Sequence, residues 1–427
     1  MRFSSSLGGR HILFLLGLWS GFLVVLLEVQ LLAQERKACP NSKEFSEAFL
    51  PKGYCAVSFA SQLAKPRGIE IISPLKILVV EADRGQISLL HDRDGNGAVS
   101  SQEKLILVSA PGLNHGLALS NRYLYASSST TVYRWSHRTV KDRIVLGKRE
   151  VVITGIPGGG HWTRTLVLDS KGSLFVSIGS RGNVDPDSRR ARLLRFSKHQ
   201  LQKVPVPWKD GEVFADGLRN EVGLAFDHRG RLWGVENGVD NLFRQDLGGD
   251  IHNDNPGEEL NLFSQAGKFY GYPQCWSEYL LPKGKPSPGR QWVHPMFSGR
   301  ASDSWCRNPK NVVPPKYVLP AHTAPLGLFF YPQTGPERSW RGDAFVALHG
   351  SWNRDVPIGY EVVRIPFKAG MPLNRKPARM FSLKRGKDQS SRWRYRPVDV
   401  KISKKGVVFF SSDHSGQVIK VFKKGPF

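Results

Sequence analysis

An all-β fold, a six-bladed β-propeller, is what this 427-residue chain predicts. One strand-turn-strand signature recurs six times, no helical period intervenes between its copies, and 43 glycines with 28 prolines supply the turns such an array needs. The clearest copy runs from His161 to Ile178. Leu166 and Leu168 alternate with other residues, Asp169-Ser170-Lys171-Gly172 makes a polar turn, and Leu174 to Ile178 is rich in β-formers. A unit of this size cannot bury its own apolar face, so the copies must pack on one another. A pair of β-sandwiches would not repeat one signature six times.

Taken in order, blade one is expected at 66–69, 77–80 and 85–89, and blade two at 114–119, 123–127 and 131–135. Blade three follows at 161–168, 174–178 and 192–196, and blade four at 219–226 and 232–237. Blade five is expected at 324–328, 345–349 and 360–365, and blade six at 396–400, 407–412 and 417–421. Residues 54–59 can supply the strand that closes the ring. Between blades four and five lies a long loop insertion, about 243–319, rich in Pro, Gly and Trp and holding Cys275 and Cys306. Loops of that length are usually functional, and this one is expected to cover the face where the blade mouths converge.

The propeller is expected over 54–427, preceded by an N-terminal extension at 34–53. Residues 1–33 carry Arg2, Arg10 and an apolar run over 12–33, and read as a cleaved signal peptide or a retained membrane anchor. Four cysteines fit a secreted or periplasm-like oxidising compartment. Cys39 with Cys55 and Cys275 with Cys306 are near enough in sequence to pair, out of three possible pairings. The 61 Lys and Arg outnumber 36 Asp and Glu, a net charge of +25 that attracts anions of any kind. There is no recognition helix, zinc-finger spacing or RNA-binding motif, so nucleic acid is not an expected partner. No Cys-x-x-Cys-His occurs, which excludes a covalently attached c-type haem.

In a propeller the innermost strand of every blade starts at the same end of the channel, so the residues just before each first strand form a ring. Here that ring holds Arg67, Asn114, His115, His161, Arg164, Arg219, Asn220, His322, Thr323, Arg394 and Arg396. Several guanidinium forks with histidines among them suit an anionic ligand and a base within reach of it.

These residues resemble a known family. His161 with Arg164, Arg219-Asn220 before Gly223-Leu224-Ala225-Phe226, Gly238, Glu259-Leu260-Asn261-Leu262 before Tyr270-Gly271-Tyr272-Pro273, and Arg394-Tyr395-Arg396 are similar to soluble quinoprotein glucose dehydrogenases. Asn114-His115-Gly116, His349-Gly350-Ser351-Trp352-Asn353-Arg354 and Ser412-Asp413-His414-Ser415-Gly416 are closer to the L-sorbosone and fungal pyranose dehydrogenase branch. The resemblance runs from Lys52 to Phe422.

It implies pyrroloquinoline quinone on the propeller axis with a calcium ion, and oxidation of a sugar or related polyol or aldehyde. His161 would take the substrate's hydroxyl proton while hydride passes to the quinone, and Arg219 would stabilise the negative charge that develops. Arg164, Asn220, Arg354, Arg394, Arg396 and His115 would surround the cofactor. The backbone carbonyls of Gly238 and Val239 would face calcium. Where the glucose enzymes place a proline, this chain has Val239, and where they place a lysine over the cofactor it offers His349 and Arg354. The electron acceptor would be a separate molecule, and the apolar 12–33 run offers a possible membrane attachment. The competing function is a non-catalytic extracellular propeller that binds an acidic glycan or a protein. A lactonase-type hydrolase would need ring carboxylates, and this ring is cationic.

One motif stands apart. Asp92-Arg93-Asp94-Gly95-Asn96-Gly97, with Glu103 six residues on, matches the twelve-residue calcium loop, but its flanks read as strands where that loop has helices. It fits either a polar turn or a structural calcium site.

Overall fold

The structure is a computed structural model that describes residues 39, 44–141, 143–283, 287–383 and 394–424. The apolar 12–33 run and the residues flanking it up to 38 lie outside the described residues. Six sheets, each with four main strands and three of them extended by a short fifth, stand around one axis, as the repeat predicts.

Blade one comprises Pro66–Ser73, Lys76–Glu81, Gln86–His91 and Lys104–Ser109. Blade two comprises Leu117–Leu119, Tyr123–Ser127, Val132–Val140 and Arg143–Thr154. Blade three comprises Leu166–Leu168, Leu174–Ile178, Arg192–Phe196 and Glu212–Asp216. In each of the three the antiparallel order follows the chain from the axis outward. Second strands such as Leu174–Ile178 are buried along their whole length, because neighbouring blades cover both of their faces. The outermost strand Lys104–Ser109 has no buried residue. Its Leu105-Ile106-Leu107-Val108 run is apolar all the same, so the sequence pattern does not mark it as an outer strand.

Blade five is built from Pro325–Phe330, Ala344–Leu348, Glu361–Ile365 and Ala378–Leu383. Blade six takes Pro397–Ile402, Val408–Ser412 and Gln417–Lys423 from the end of the chain and its outer strand, Tyr54–Ala60, from the beginning. Ala56 pairs with Val421 and Tyr54 with Lys423, so the ring is closed by a ladder of backbone hydrogen bonds. Cys39–Cys55 and Cys275–Cys306 are both disulfides. The first ties the N-terminal segment to the closing strand. That segment is part of the propeller: Ala48–Phe49 pairs with Ala378–Leu383, and Phe45 is buried against Phe381 and Tyr395.

The insertion is placed differently from the expectation. Glu258–Phe263 pairs with Leu232–Glu236, and Tyr317–Leu319 pairs with Glu258–Phe263, so these are the third and fourth strands of blade four. The long connections therefore lie inside blade four, at 237–257 and 264–316, and not between two blades. Glu258, Glu259 and Asn261 are buried polar residues, which is why the third strand does not read as apolar.

At the axis the inner strands approach one another more closely than side chains allow. A Cβ on Gly116 would lie 2.1 Å from the Arg164 carbonyl oxygen, and one on Gly327 would lie 2.7 Å from Cα of Asp399. Other junctions use side-chain bonds. Ser127 donates to the Arg164 carbonyl, Thr165 donates to that of Val222, Asp399 accepts from the Ile69 amide at 3.0 Å, and Ser411 donates to the Arg67 carbonyl. A cavity of only about 20 Å³ remains on the axis, so the channel is plugged below its mouth.

Candidate active site at the channel mouth

His161 lies in the loop that enters blade three. Its amide donates to the Ser180 carbonyl at 3.1 Å, and its Nδ1 lies 2.8 Å from the Ser180 hydroxyl oxygen. That hydroxyl has one hydrogen, and it donates it to the Gly182 carbonyl at 2.7 Å. Ser180 must therefore accept from His161, which puts the ring proton on Nδ1 and a lone pair on Nε2. Burial first, and then the Arg219 guanidinium, push the imidazole down to about 3. A neutral imidazole with a free lone pair is a competent base. Gly179 makes room for it: a Cβ there would fall 2.6 Å from Cβ of His161 and 2.9 Å from Oδ1 of Asn220, so Asn220 flanks the same point.

Arg219 is 5% exposed, and four of its five N–H donors are engaged. It bonds Asp240 at 2.6 Å, Asn183 through carbonyl and side chain at 3.1 Å each, and the Asn237 carbonyl at 3.3 Å. The other oxygen of Asp240 lies 3.7 Å from Nδ1 of His322, whose Nε2 is 2.7 Å from the His252 carbonyl. Asp240 thus joins two ring residues, and it comes from the first insert of blade four, just ahead of the 243–319 stretch that was expected to cover this face.

On the other side of the mouth Arg67 bonds Asp413 at 2.7 Å, and Asp413 holds Nε2 of His349 at 2.9 Å. Arg396 donates to the His349 and Gly350 carbonyls at 3.1 Å each. Arg354 bonds the Asn253 carbonyl and, at 3.0 Å, Asp254, tying blade five to the first insert of blade four. Arg67, Arg219 and Arg354 each have a carboxylate partner. Arg396 has none among the described residues, so its charge is available to an anion. His115 lines the plugged channel beneath. It is 3% exposed, its Nδ1 has no partner among the described residues, and burial followed by Arg67 keeps it well below the ordinary histidine range.

Two expected ligands are elsewhere. Arg164 has zero exposure and donates to the carbonyls of His161, Thr163 and Pro157, so it braces the His161 loop from behind and touches nothing in the mouth. Arg394 points outward with a side chain 61% exposed, 4.0 Å from Glu44 of the N-terminal segment. It precedes the strand Pro397–Ile402, and outside the pleat the two-residue period does not carry it to the side of Arg396.

Gly238 and Val239 are held firmly. The Gly238 amide donates to Glu258 at 2.7 Å, and the Val239 side chain is buried among Ala191, Leu242, Ile251, Tyr272 and Trp276. No donor among the described residues bonds either carbonyl, which leaves two hard oxygens of the kind calcium takes. Glu258 also accepts from the Ala324 amide at 3.2 Å, and burial pushes its carboxyl up to about 8. Sequence reasoning missed Ser180, Asp240, Glu258 and Asp413 as parts of the site. Asp413 alone had a signal, its place in the Ser412 to Gly416 motif. A hollow of about 980 Å³ lies between the outer parts of blades four and five and meets the mouth residues at Thr323 and Arg354. His161 and Arg396, which has no carboxylate partner among the described residues, lie instead at the shallower mouth.

The TrAA12-like family model matches residues 48–424. A pyrroloquinoline quinone-dependent pyranose dehydrogenase of Coprinopsis cinerea is 33% identical over 417 residues, covering 89% of this chain and 55% of the relative. The chain thus spans about half the length of that protein. A pyrroloquinoline quinone-dependent sugar dehydrogenase of Hypocrea jecorina is 30% identical, covering 83% of this chain and 85% of the relative. The holo form of the Coprinopsis cinerea pyranose dehydrogenase quinone-binding domain superposes with a TM-score of 0.76 at 29% identity, covering 90% of this chain and 98% of that one.

Proposed function

Because this chain belongs to the TrAA12-like family, we propose that it is an oxidoreductase that oxidises a sugar or related polyol or aldehyde with pyrroloquinoline quinone and calcium. The observation that carries the reading is the neutral His161, its proton on Nδ1 and its Nε2 open, beside Arg219 and across the mouth from Arg396, which has no carboxylate partner among the described residues. When bound, the quinone supplies a two-electron oxidant that takes hydride from carbon, and its carboxylates suit guanidinium donors.

The chain's own residues do the rest. Nε2 of His161 takes the hydroxyl proton of the substrate. Arg219, fixed by Asp240 and Asn183, stabilises negative charge on the reacting oxygen without reorganising. Arg396 holds a cofactor carboxylate, Arg354, already bound to Asp254, keeps the first insert of blade four against blade five, and Asn220 positions the group next to His161. The carbonyls of Gly238 and Val239 hold calcium, with Glu258 setting their position from below. His115 closes the floor. Electrons leave to a separate acceptor, and the two disulfides suit an oxidising, extracellular setting.

The test is to mix the cofactor-free full chain with pyrroloquinoline quinone and calcium and record the cofactor's absorbance with and without a panel of aldoses. Sugar-dependent bleaching of the quinone is expected. Binding of an acidic glycan with no effect of sugar on the quinone would replace this reading with a non-catalytic propeller.

A further inference from the structure

The loop between the third and fourth strands of blade one, residues 92–103, has no part in the site above. It carries oxygen side chains at the first, third, fifth and twelfth positions of a calcium loop, in Asp92, Asp94, Asn96 and Glu103, and a glycine, Gly97, at the sixth. Gly97 has φ of 92°, the left-handed turn that this position requires, and its amide donates to Oδ2 of Asp92 at 3.0 Å. Asp92, Asp94 and Glu103 each bring an oxygen to within 4.8 Å of the others, although the loop joins two strands.

Acidic residues in a turn are common, and the proximity alone would mean little. The deciding observation is Asp92. It has zero exposure, yet its Oδ1 is buried with no hydrogen-bond partner among the described residues. A buried carboxylate oxygen left without a donor is costly, and this one belongs to a carboxylate grouped with two others. Its burial raises the Asp92 carboxyl, with Lys420 pulling the other way from the strand Gln417–Lys423. A divalent cation would satisfy the orphaned oxygen and relieve the repulsion among the three carboxylates together.

We propose that residues 92–103 bind a structural calcium ion through Asp92, Asp94, Asn96, the carbonyl of Ala98 and Glu103. The ion has a mechanical role. Val99, at the eighth position, donates its amide to the Phe59 carbonyl at 2.6 Å and bridges to Ala60, on the strand that closes the ring. Ordering the loop therefore fastens blade one to the closing strand of blade six.

The test is calorimetric titration of calcium alone into the chelator-treated, cofactor-free full chain, with thermal melting in calcium and in excess chelator. The variants are Asp94→Asn, at an exposed position that leaves the buried pair intact, and Glu103→Gln. Wild-type protein should bind one calcium that Asp94→Asn weakens at least tenfold. Calcium should raise the wild-type melting temperature by on the order of 3 °C, and that of the variant hardly at all. Asp94→Asn should leave calcium- and quinone-dependent sugar oxidation unchanged, which separates this ion from the one at the mouth. Equal calcium affinity and stoichiometry in wild type and Asp94→Asn would overturn the proposal, as would a wild-type melting temperature indifferent to chelator. If Glu103→Gln fails to fold, Asp94→Asn alone decides.

Discussion

The hydroxyl of Ser180 decides which nitrogen of His161 carries the proton, because its single hydrogen is committed to the Gly182 carbonyl. His161→Ala or His161→Gln should cut turnover about 10²- to 10⁴-fold. Quinone affinity should hold, since the arginines remain. Ser180→Ala should cost about tenfold in turnover, the worth of one ordinary hydrogen bond, with little change in KM. Steady-state kinetics on the reconstituted protein measure both, and a His161 variant with near-normal turnover would move the base elsewhere.

The pH profile follows from the same group. An unperturbed histidine, near 6.5, would lose its base form between pH 7 and 5. His161 is pushed down to about 3, so it stays neutral over that range and is protonated only in stronger acid. Turnover measured from pH 8 to 5 should show no histidine-like fall on the acid side. A tenfold loss per unit below 6.5 would contradict the burial of this ring beside Arg219.

Two arginines with a single residue between them should behave differently. Arg396→Ala should weaken quinone binding by roughly 1.5–3 kcal/mol, the range for a hydrogen bond to a charged group. Arg394→Ala, at the outer rim, should leave it unchanged. Equilibrium titration of the cofactor measures both, and equal losses would return Arg394 to the mouth.

Removing Asp240 strands the buried Arg219 charge. Asp240→Ala should destabilise the chain by about 3 kcal/mol, at the low end for a broken buried pair because Asn183 still binds the guanidinium. Denaturant unfolding measures it. Asp240→Asn, which keeps an acceptor, should recover part of the loss.

Much of this was legible in the chain. The second strands of all six blades carry apolar runs, because they are covered on both faces, and the short strand mouths led directly to His161 and Arg219. The third strand of blade four was not legible, since Glu258, Glu259 and Asn261 make it polar while it is buried. Nor can sequence tell an arginine that meets a ligand from one consumed by backbone. Arg164 stands three residues from His161, yet all three of its bonds go to carbonyls of its own loop. The partners that tune the site, Ser180, Asp240 and Glu258, come from other strands and inserts, and only the folded ring brings them to it.

The ladder between Tyr54–Ala60 and Gln417–Lys423 also sets an order of events during synthesis. At ~5–20 residues per second a ribosome makes the first of these strands roughly 20–70 s before the second. Through that interval Tyr54–Ala60 carries an open row of amides and carbonyls, a site where another nascent chain could pair. Five blades can assemble as they emerge, but the sixth must wait for the last stretch of chain. A ribosome that stops short of Gln417 therefore releases more than a shortened protein: it releases an open arc with both free ends able to pair with a stranger.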